Sequence, residues 1–262
     1  MAHHASYLPG ALLLPLLLLM AGVPSAAPAL KRLPSYVPLC RRGDPAFDEC
    51  LRRATAELRP HLAKGVRELH IPPLEPLSLP EVDLQQDAPA LTYRARLTGI
   101  QLYGLSDYVF SNVRADVDHG VLTGSLRLPR LRLEAGYHID GTVLQRRIRG
   151  SGSLTANITD TAAEVEVRLR TVSRRGEKFL TVSDTALRLD VGAAMVLFRN
   201  LEQGSSDIVM ATNSFLNENS VSLVRELRPA VESVAAMVQR DVLSKAFRAA
   251  PLRVLFPEDA KH

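Results

Sequence analysis

From Leu91 to Val191 the sequence alternates apolar and polar residues, most regularly in Ala163-Glu-Val-Glu-Val-Arg-Leu-Arg-Thr-Val172 and Leu126-Arg-Leu-Pro-Arg-Leu-Arg-Leu133. Period two sends successive side chains to opposite faces, so this stretch reads as strands with one buried and one solvated face. Asp118-His-Gly120, Ile139-Asp-Gly141, Gly150-Ser-Gly152 and Arg174-Arg-Gly176 are spaced as turns of an antiparallel meander. Some strands are expected to reach about ten residues or more. No helical stretches alternate with them, which favours a strongly twisted, curled sheet over a doubly wound one.

The C-terminal region supplies something for such a sheet to curl around. Apolar residues recur at Leu216, Leu223, Leu227, Val231, Val234, Val238 and Val242 within a stretch from about Asn213 to Arg248. At about 1.5 Å per residue that helix would be on the order of 50 Å long, with a bend at Pro229. An apolar stripe of that length needs an equally long apolar trough, which the sheet is large enough to provide. Upstream, Phe47, Leu51, Ala54, Leu58, Leu62, Val66 and Leu69 mark one apolar helical face over 44–69, with Asp44 as the N-cap and Pro45 at the first helical position. Pro60 is expected to kink or break this helix. Ile71-Pro-Pro-Leu-Glu-Pro-Leu-Ser-Leu-Pro80 reads as an extended surface connector, because its prolines oppose both helix and central strand.

The first residues, through about Ala27, contain no lysine, arginine or acid, and run from an apolar core, 11–20, into Val23-Pro-Ser-Ala-Ala27. This segment, 1–27, reads as a secretory signal peptide, since Pro15 interrupts the core and a membrane span needs about 20 apolar residues. Residues 28–262 are then expected to form one soluble extracellular domain with no stable membrane insertion. An oxidising compartment allows Cys40 and Cys50 to pair, the alternative being two free thiols. Asn157-Ile-Thr159 is an acceptor sequence for glycosylation. The net charge of +4 is spread over interleaved acids and bases, and the chain has no tryptophan. Both features argue against nucleic acid as a partner. His61, His70, His119, His138 and His262 show no metal-ligand spacing, and no nucleophile elbow, phosphate loop or dinucleotide fingerprint occurs. No catalytic residue, metal or cofactor is therefore expected. A hydrolase would need a dispersed nucleophile, base and orienting group that nothing local marks.

Several stretches resemble the insect haemolymph juvenile hormone binding and takeout-like proteins. They are Leu33-Pro-Ser-Tyr36, the Cys40 to Cys50 pair enclosing Asp44-Pro45, Leu58-Arg-Pro-His-Leu-Ala-Lys-Gly65, Ile71-Pro-Pro-Leu-Glu-Pro-Leu77, Leu102-Tyr-Gly-Leu105, Leu128-Pro-Arg-Leu-Arg-Leu-Glu134, Tyr137-His-Ile-Asp-Gly141, Phe215-Leu-Asn-Glu-Asn219 and Glu226-Leu-Arg-Pro229. They occur in family order across almost all of the chain. With the N-terminal cysteine pair alone, the chain looks closer to the takeout-like branch than to hormone carriers with a further disulfide.

The resemblance implies an α+β fold, a long C-terminal helix wrapped by a highly curved antiparallel sheet as in tubular lipid-binding proteins, enclosing an apolar tunnel. It also implies a non-enzymatic carrier of juvenile hormone or another long apolar molecule in haemolymph or other body fluid. Takeout-like members are associated with circadian output, feeding and behaviour. A monomer with a small lipophilic ligand is the expected working form, and no receptor can be named. For such a carrier the candidate tunnel lining is Leu223, Leu227, Val231, Val234 and Val238, with Tyr103, Tyr108 and Tyr137 as polar handles for a ligand oxygen. Ordinary core packing at these positions is the alternative, and with it a secreted protein-interaction module without a bound ligand.

Overall fold

Six antiparallel strands make one sheet: β1 (Leu77–Ala88), β2 (Leu91–Tyr103), β3 (Val109–Asp116), β4 (Val121–Val143), β5 (Arg146–Arg174) and β6 (Glu177–Arg199). Among the described residues four α-helices accompany them: α1 (Phe47–Lys64), α2 (Ser206–Glu218), α3 (Ser220–Ala249) and the short α4 (Leu252–Leu255). The computed structural model describes residues 29–88, 91–143, 145–199 and 206–258, so the expected signal segment 1–27 lies outside the described residues.

The strands are longer than the turn signals suggested, with 23 residues in β4, 29 in β5 and 23 in β6. Asp118-His-Gly120 and Arg175-Gly176 do reverse the chain. Ile139-Asp-Gly141 and Gly150-Ser-Gly152 do not, and instead face each other across β4 and β5, with Ile139 opposite Gly150 and Gly141 opposite Ile148. Gly141 is required there by close approach rather than by a turn. A Cβ would lie 2.5 Å from the Thr92 carbonyl oxygen and 2.6 Å from Tyr93 Cβ on β2.

The sheet order is β1-β2-β4-β5-β6, with β3 paired to β4 off that path. One side of β4 is shared, Val121–Arg127 pairing with β3 and Arg132–Val143 with β2. Pro129 falls in the gap between those two partners, where its missing N–H costs no ladder bond on that side. The presumed connector over 71–80 also ends differently, because Leu77–Pro80 belong to β1. β1 is an edge strand, the position in a sheet that tolerates proline.

The helix over 44–69 is narrower than expected and runs through Pro60 without a break. Asp44 makes a tight turn ahead of it, its Oδ1 accepting from the Ala46 N–H at 2.8 Å. The expected single C-terminal helix is two helices meeting at Asn219, whose Nδ2 donates to the Phe215 carbonyl at 2.8 Å. α3 alone, with 30 residues, is about 45 Å long. Among the described residues no helix is long and apolar enough to cross a membrane.

At one end the core joins Cys40, Phe47 and Ala54 to Val167, Leu169, Leu180 and Val182 of the sheet and to Phe247 and Leu252. Cys40 and Cys50 form a disulfide there, tying the N-terminal arm to α1. Towards the other end, Tyr93 and Ile148 pack with Leu216 and Leu223, beside a cluster of Ile100, Ala135, Tyr137 and Leu154. The sheet therefore meets the helices tightly at both ends.

Candidate ligand cavity

Between those packed ends an apolar cavity of about 290 Å³ remains. The sheet contributes Tyr93 from β2, Ile139 from β4, Ile148, Ala156 and Ile158 from β5, and Leu189, Val191, Ala194, Met195, Val196 and Phe198 from β6. The helices contribute Leu216 from α2 and Ser220, Leu223, Val224, Leu227, Arg228 and Val231 from α3. Strand alternation sorts the two faces: Ala156 and Ile158 border the cavity while Asn157 between them is exposed on the other side. Arg228 is the one charged residue in this lining.

Exposure grades along the lining. Tyr93, Ile148, Leu216 and Leu223 are all at or below 8% exposed, whereas Val231 is 45% exposed. The cavity is closed near Tyr93 and opens between β6 and α3 beside Arg228 and Val231.

Side-chain hydrogen bonds fix the helices to the free edge of β6 on either side of this opening. Asn213 Oδ1 accepts from the Phe198 N–H at 2.8 Å and its Nδ2 donates to the Phe198 carbonyl at 2.9 Å. Asn217 repeats the arrangement on Val196, both distances being 2.8 Å. Further along, Glu232 Oε1 accepts from the Leu189 N–H at 2.8 Å. The helical path from Asn217 to Glu232 is about 22 Å and the strand path from Leu189 to Val196 about 23 Å, so the two clamps are in step. They also satisfy backbone groups that an edge strand would otherwise leave bare.

Of the residues expected to line a tunnel, Leu223, Leu227 and Val231 border the cavity. Val234 and Val238 are half-buried further along α3 and outside its lining. The three candidate tyrosines are elsewhere. Tyr103 is 36% exposed at the end of β2. Tyr108 Oη donates to the Thr55 carbonyl at 2.7 Å, fastening α1 to the sheet, and burial pushes its phenol up to about 12. Tyr137 Oη donates to the Arg199 carbonyl at 3.3 Å, and its ring meets that of Phe198 edge-on at 4.8 Å. The tyrosine that does border the cavity is Tyr93, which period two alone places on the inner face with Ala95 and Leu97. Among the described residues, no three His, Cys, Asp or Glu side chains gather as a metal site.

The family model described as haemolymph juvenile hormone binding protein (JHBP) matches residues 16–257. The chain belongs to this family. It is 20% identical over 249 residues to circadian clock-controlled protein daywake of Drosophila melanogaster, covering 92% of this chain and 95% of that one. Daywake of Drosophila yakuba is 22% identical over 239 residues, 88% of each chain being covered. The crystal structure of Epiphyas postvittana Takeout 1 matches with a TM-score of 0.70 at 19% identity, over 84% of this chain and 99% of that one. The curled antiparallel sheet with a long C-terminal helix is thus the takeout fold.

Proposed function

We propose that this family member is a secreted, monomeric carrier holding one small lipophilic molecule in the cavity between α3 and the sheet. The observation that carries the reading is the lining: a closed apolar end, an opening beside Arg228, and aliphatic walls between them. At 290 Å³ the volume is near the lower end of ligand pockets, about 300–1,000 Å³. Each 100 Å² of apolar ligand surface removed from water contributes about 2.5 kcal/mol gross. Part of that is offset by the cost of association. A solidly packed interaction module would have no use for such a space.

The names of the family and of its daywake relatives support juvenile hormone or a similar apolar molecule as cargo and a link to circadian output. Removal of a leader over 1–27 and a glycan on exposed Asn157 belong to the same reading, since both follow from export.

Mass spectrometry of the organic extract from the natively purified, secreted protein tests this. An apolar species enriched near one per protein, relative to an unrelated protein from the same cells, is the expected result. An extract matching that control, together with no binding of an apolar probe by the delipidated protein, overturns the carrier reading.

A further inference from the structure

The outer face of the sheet carries an open groove of about 720 Å³ across β2, β4, β5 and β6. Cross-strand neighbours build its wall: Asn157 on β5 stands beside Met195 on β6, and Thr155 beside Leu197. Gly99 and Gly136 line it further on, where the lack of side chains keeps the floor low. The rest of the lining is polar, with Glu134 paired to Arg132 and with Arg199 exposed at the end of β6.

Met195 is 63% and Leu197 42% exposed. Strand alternation sets both side chains on this outer face, opposite Ala194 and Val196 of the cavity wall. Single apolar side chains on a surface are ordinary, but here two adjoining ones flank a polar groove. A second copy of the chain is a poor cover for them, since a stable interface buries on the order of 1,200 Å² or more in total. Ions rim this pair closely, through Arg132, Glu134 and Arg199. The groove also contains the means of its own covering, because Asn157 of the acceptor sequence Asn157-Ile-Thr159 opens into it.

We propose that sugars linked to Asn157 fold back along this groove and cover Met195 and Leu197. The proposal rests on export of the chain and adds the place where the glycan lies. In the transfer, Asn157 Nδ2 bonds to the anomeric carbon of an oligosaccharide carried on a polyisoprenyl diphosphate. The anomeric C–O bond breaks, the diphosphate leaves with the electron pair, and the amide gives up one proton. Transfer acts on the chain before β5 pairs with its neighbours. Once the sheet forms, the C–H face of a sugar ring meets Met195 and Leu197, while its hydroxyls face Thr155 and Arg199. Tethering makes these contacts intramolecular, so each can be weak and the seat still be occupied. The glycan then does more than solubilise: it shields the back of the β6 wall whose other face borders the cavity.

The experiment uses the full-length protein secreted from cultured animal cells in three forms: as secreted, after removal of N-glycans from the folded protein by peptide N-glycosidase, and as Asn157→Gln. Dilute hydrogen peroxide converts exposed methionines to sulfoxides, and peptide mass spectrometry follows the rate at each one. Met237 on α3, 66% exposed and outside both the groove and the cavity, is the internal reference. In the glycosylated protein Met195 is expected to oxidise about fivefold more slowly than Met237, and in the other two forms the rates should converge. If Asn157→Gln does not fold, the enzymatically stripped wild type supplies the comparison. Equal rates with the glycan in place overturn the seat and leave export standing. Slow oxidation of Met195 in every form assigns its cover to a second copy or another partner, which also overturns the seat. A secreted protein without sugar on Asn157 overturns the modification alone, whereas absence of the protein from the medium overturns export with it.

Discussion

Asn217 on α2 holds both backbone groups of Val196 on the free edge of β6, accepting from its N–H and donating to its carbonyl, each at 2.8 Å. One amide side chain thus stands in for the neighbouring strand that β6 lacks. Asn217→Ala removes both bonds and leaves a half-buried N–H unpaired, a loss of about 2 kcal/mol. Asn217→Asp keeps the acceptor but sets a carboxylate oxygen against the Val196 carbonyl, so at neutral pH its loss should be at least as large. Urea unfolding of the three proteins checks the order, and the Val196 amide should exchange faster with solvent in Asn217→Ala. Equal midpoints would mean that the clamp adds nothing to packing.

Tyr108 gives the fold an alkaline limit. Burial raises its phenol to about 12 in the folded protein, against about 10 in an unfolded chain. Between those values the folded state keeps a proton that the unfolded state has released, so the contribution is complete below pH 10 and is lost as pH rises towards 12. Tyr108→Phe removes this dependence together with the 2.7 Å bond to Thr55, a cost of about 1 kcal/mol at neutral pH. The stability difference between wild type and variant, followed by denaturant unfolding, should shrink above pH 10 and change sign before pH 12. Tyr93, also raised by burial, is present in both proteins and cancels.

The alternation that marks strands was legible because it is local: Leu91 to Val191 announces a sheet residue by residue, and Tyr93 is on the correct face by period alone. What Tyr93 faces was not legible, since Leu216 and Leu223 are more than a hundred positions away. Glycines misled for a related reason. Gly120 reverses the chain and Gly141 lets β2 come close, and only the partner strand distinguishes the two uses. Asn213 and Asn217 look like ordinary polar positions one helical turn apart until β6 is placed beside them. Some of the stretches carrying the family resemblance touch one another in the fold. Glu75 accepts from the Gly104 N–H at 2.9 Å, and Tyr36 stacks on His61 with ring centroids 3.9 Å apart. Those stretches therefore encoded tertiary contacts, which is why the architecture was legible and the cavity contents were not.

The disulfide secures a small piece of chain to a large core. Cys40 is 2% exposed and sits with Phe47, Leu180 and Leu252, while Cys50 is ten residues further along in the first turns of α1. Cys40→Ala/Cys50→Ala avoids burying new hydroxyls and should lower unfolding stability by about 2–4 kcal/mol, mainly through a freer unfolded chain. The denaturant midpoint should move while the far-ultraviolet circular dichroism stays unchanged. A midpoint equal to that of the oxidised wild type would mean that packing alone holds the arm.

Cavity volume and stability can be moved in opposite senses by residues on the two walls. Leu227→Ala deletes a half-buried side chain from the α3 wall and should cost about 2 kcal/mol, the low end for such truncations, while leaving room for cargo. Ala194→Phe pushes a ring from β6 into the same space, and its added apolar atoms meet aliphatic walls rather than a packed core. Thermal stability should then change little, because the space filled is empty in the free protein. Apolar-probe affinity should fall by at least about tenfold, roughly 1.4 kcal/mol. Val238→Ala, on the same helix but outside the lining, should leave probe affinity as it is. Loss of binding in Ala194→Phe with retention in Val238→Ala locates the cargo between α3 and β6. Equal retention in both would remove this cavity as the binding place, however well the fold supports it.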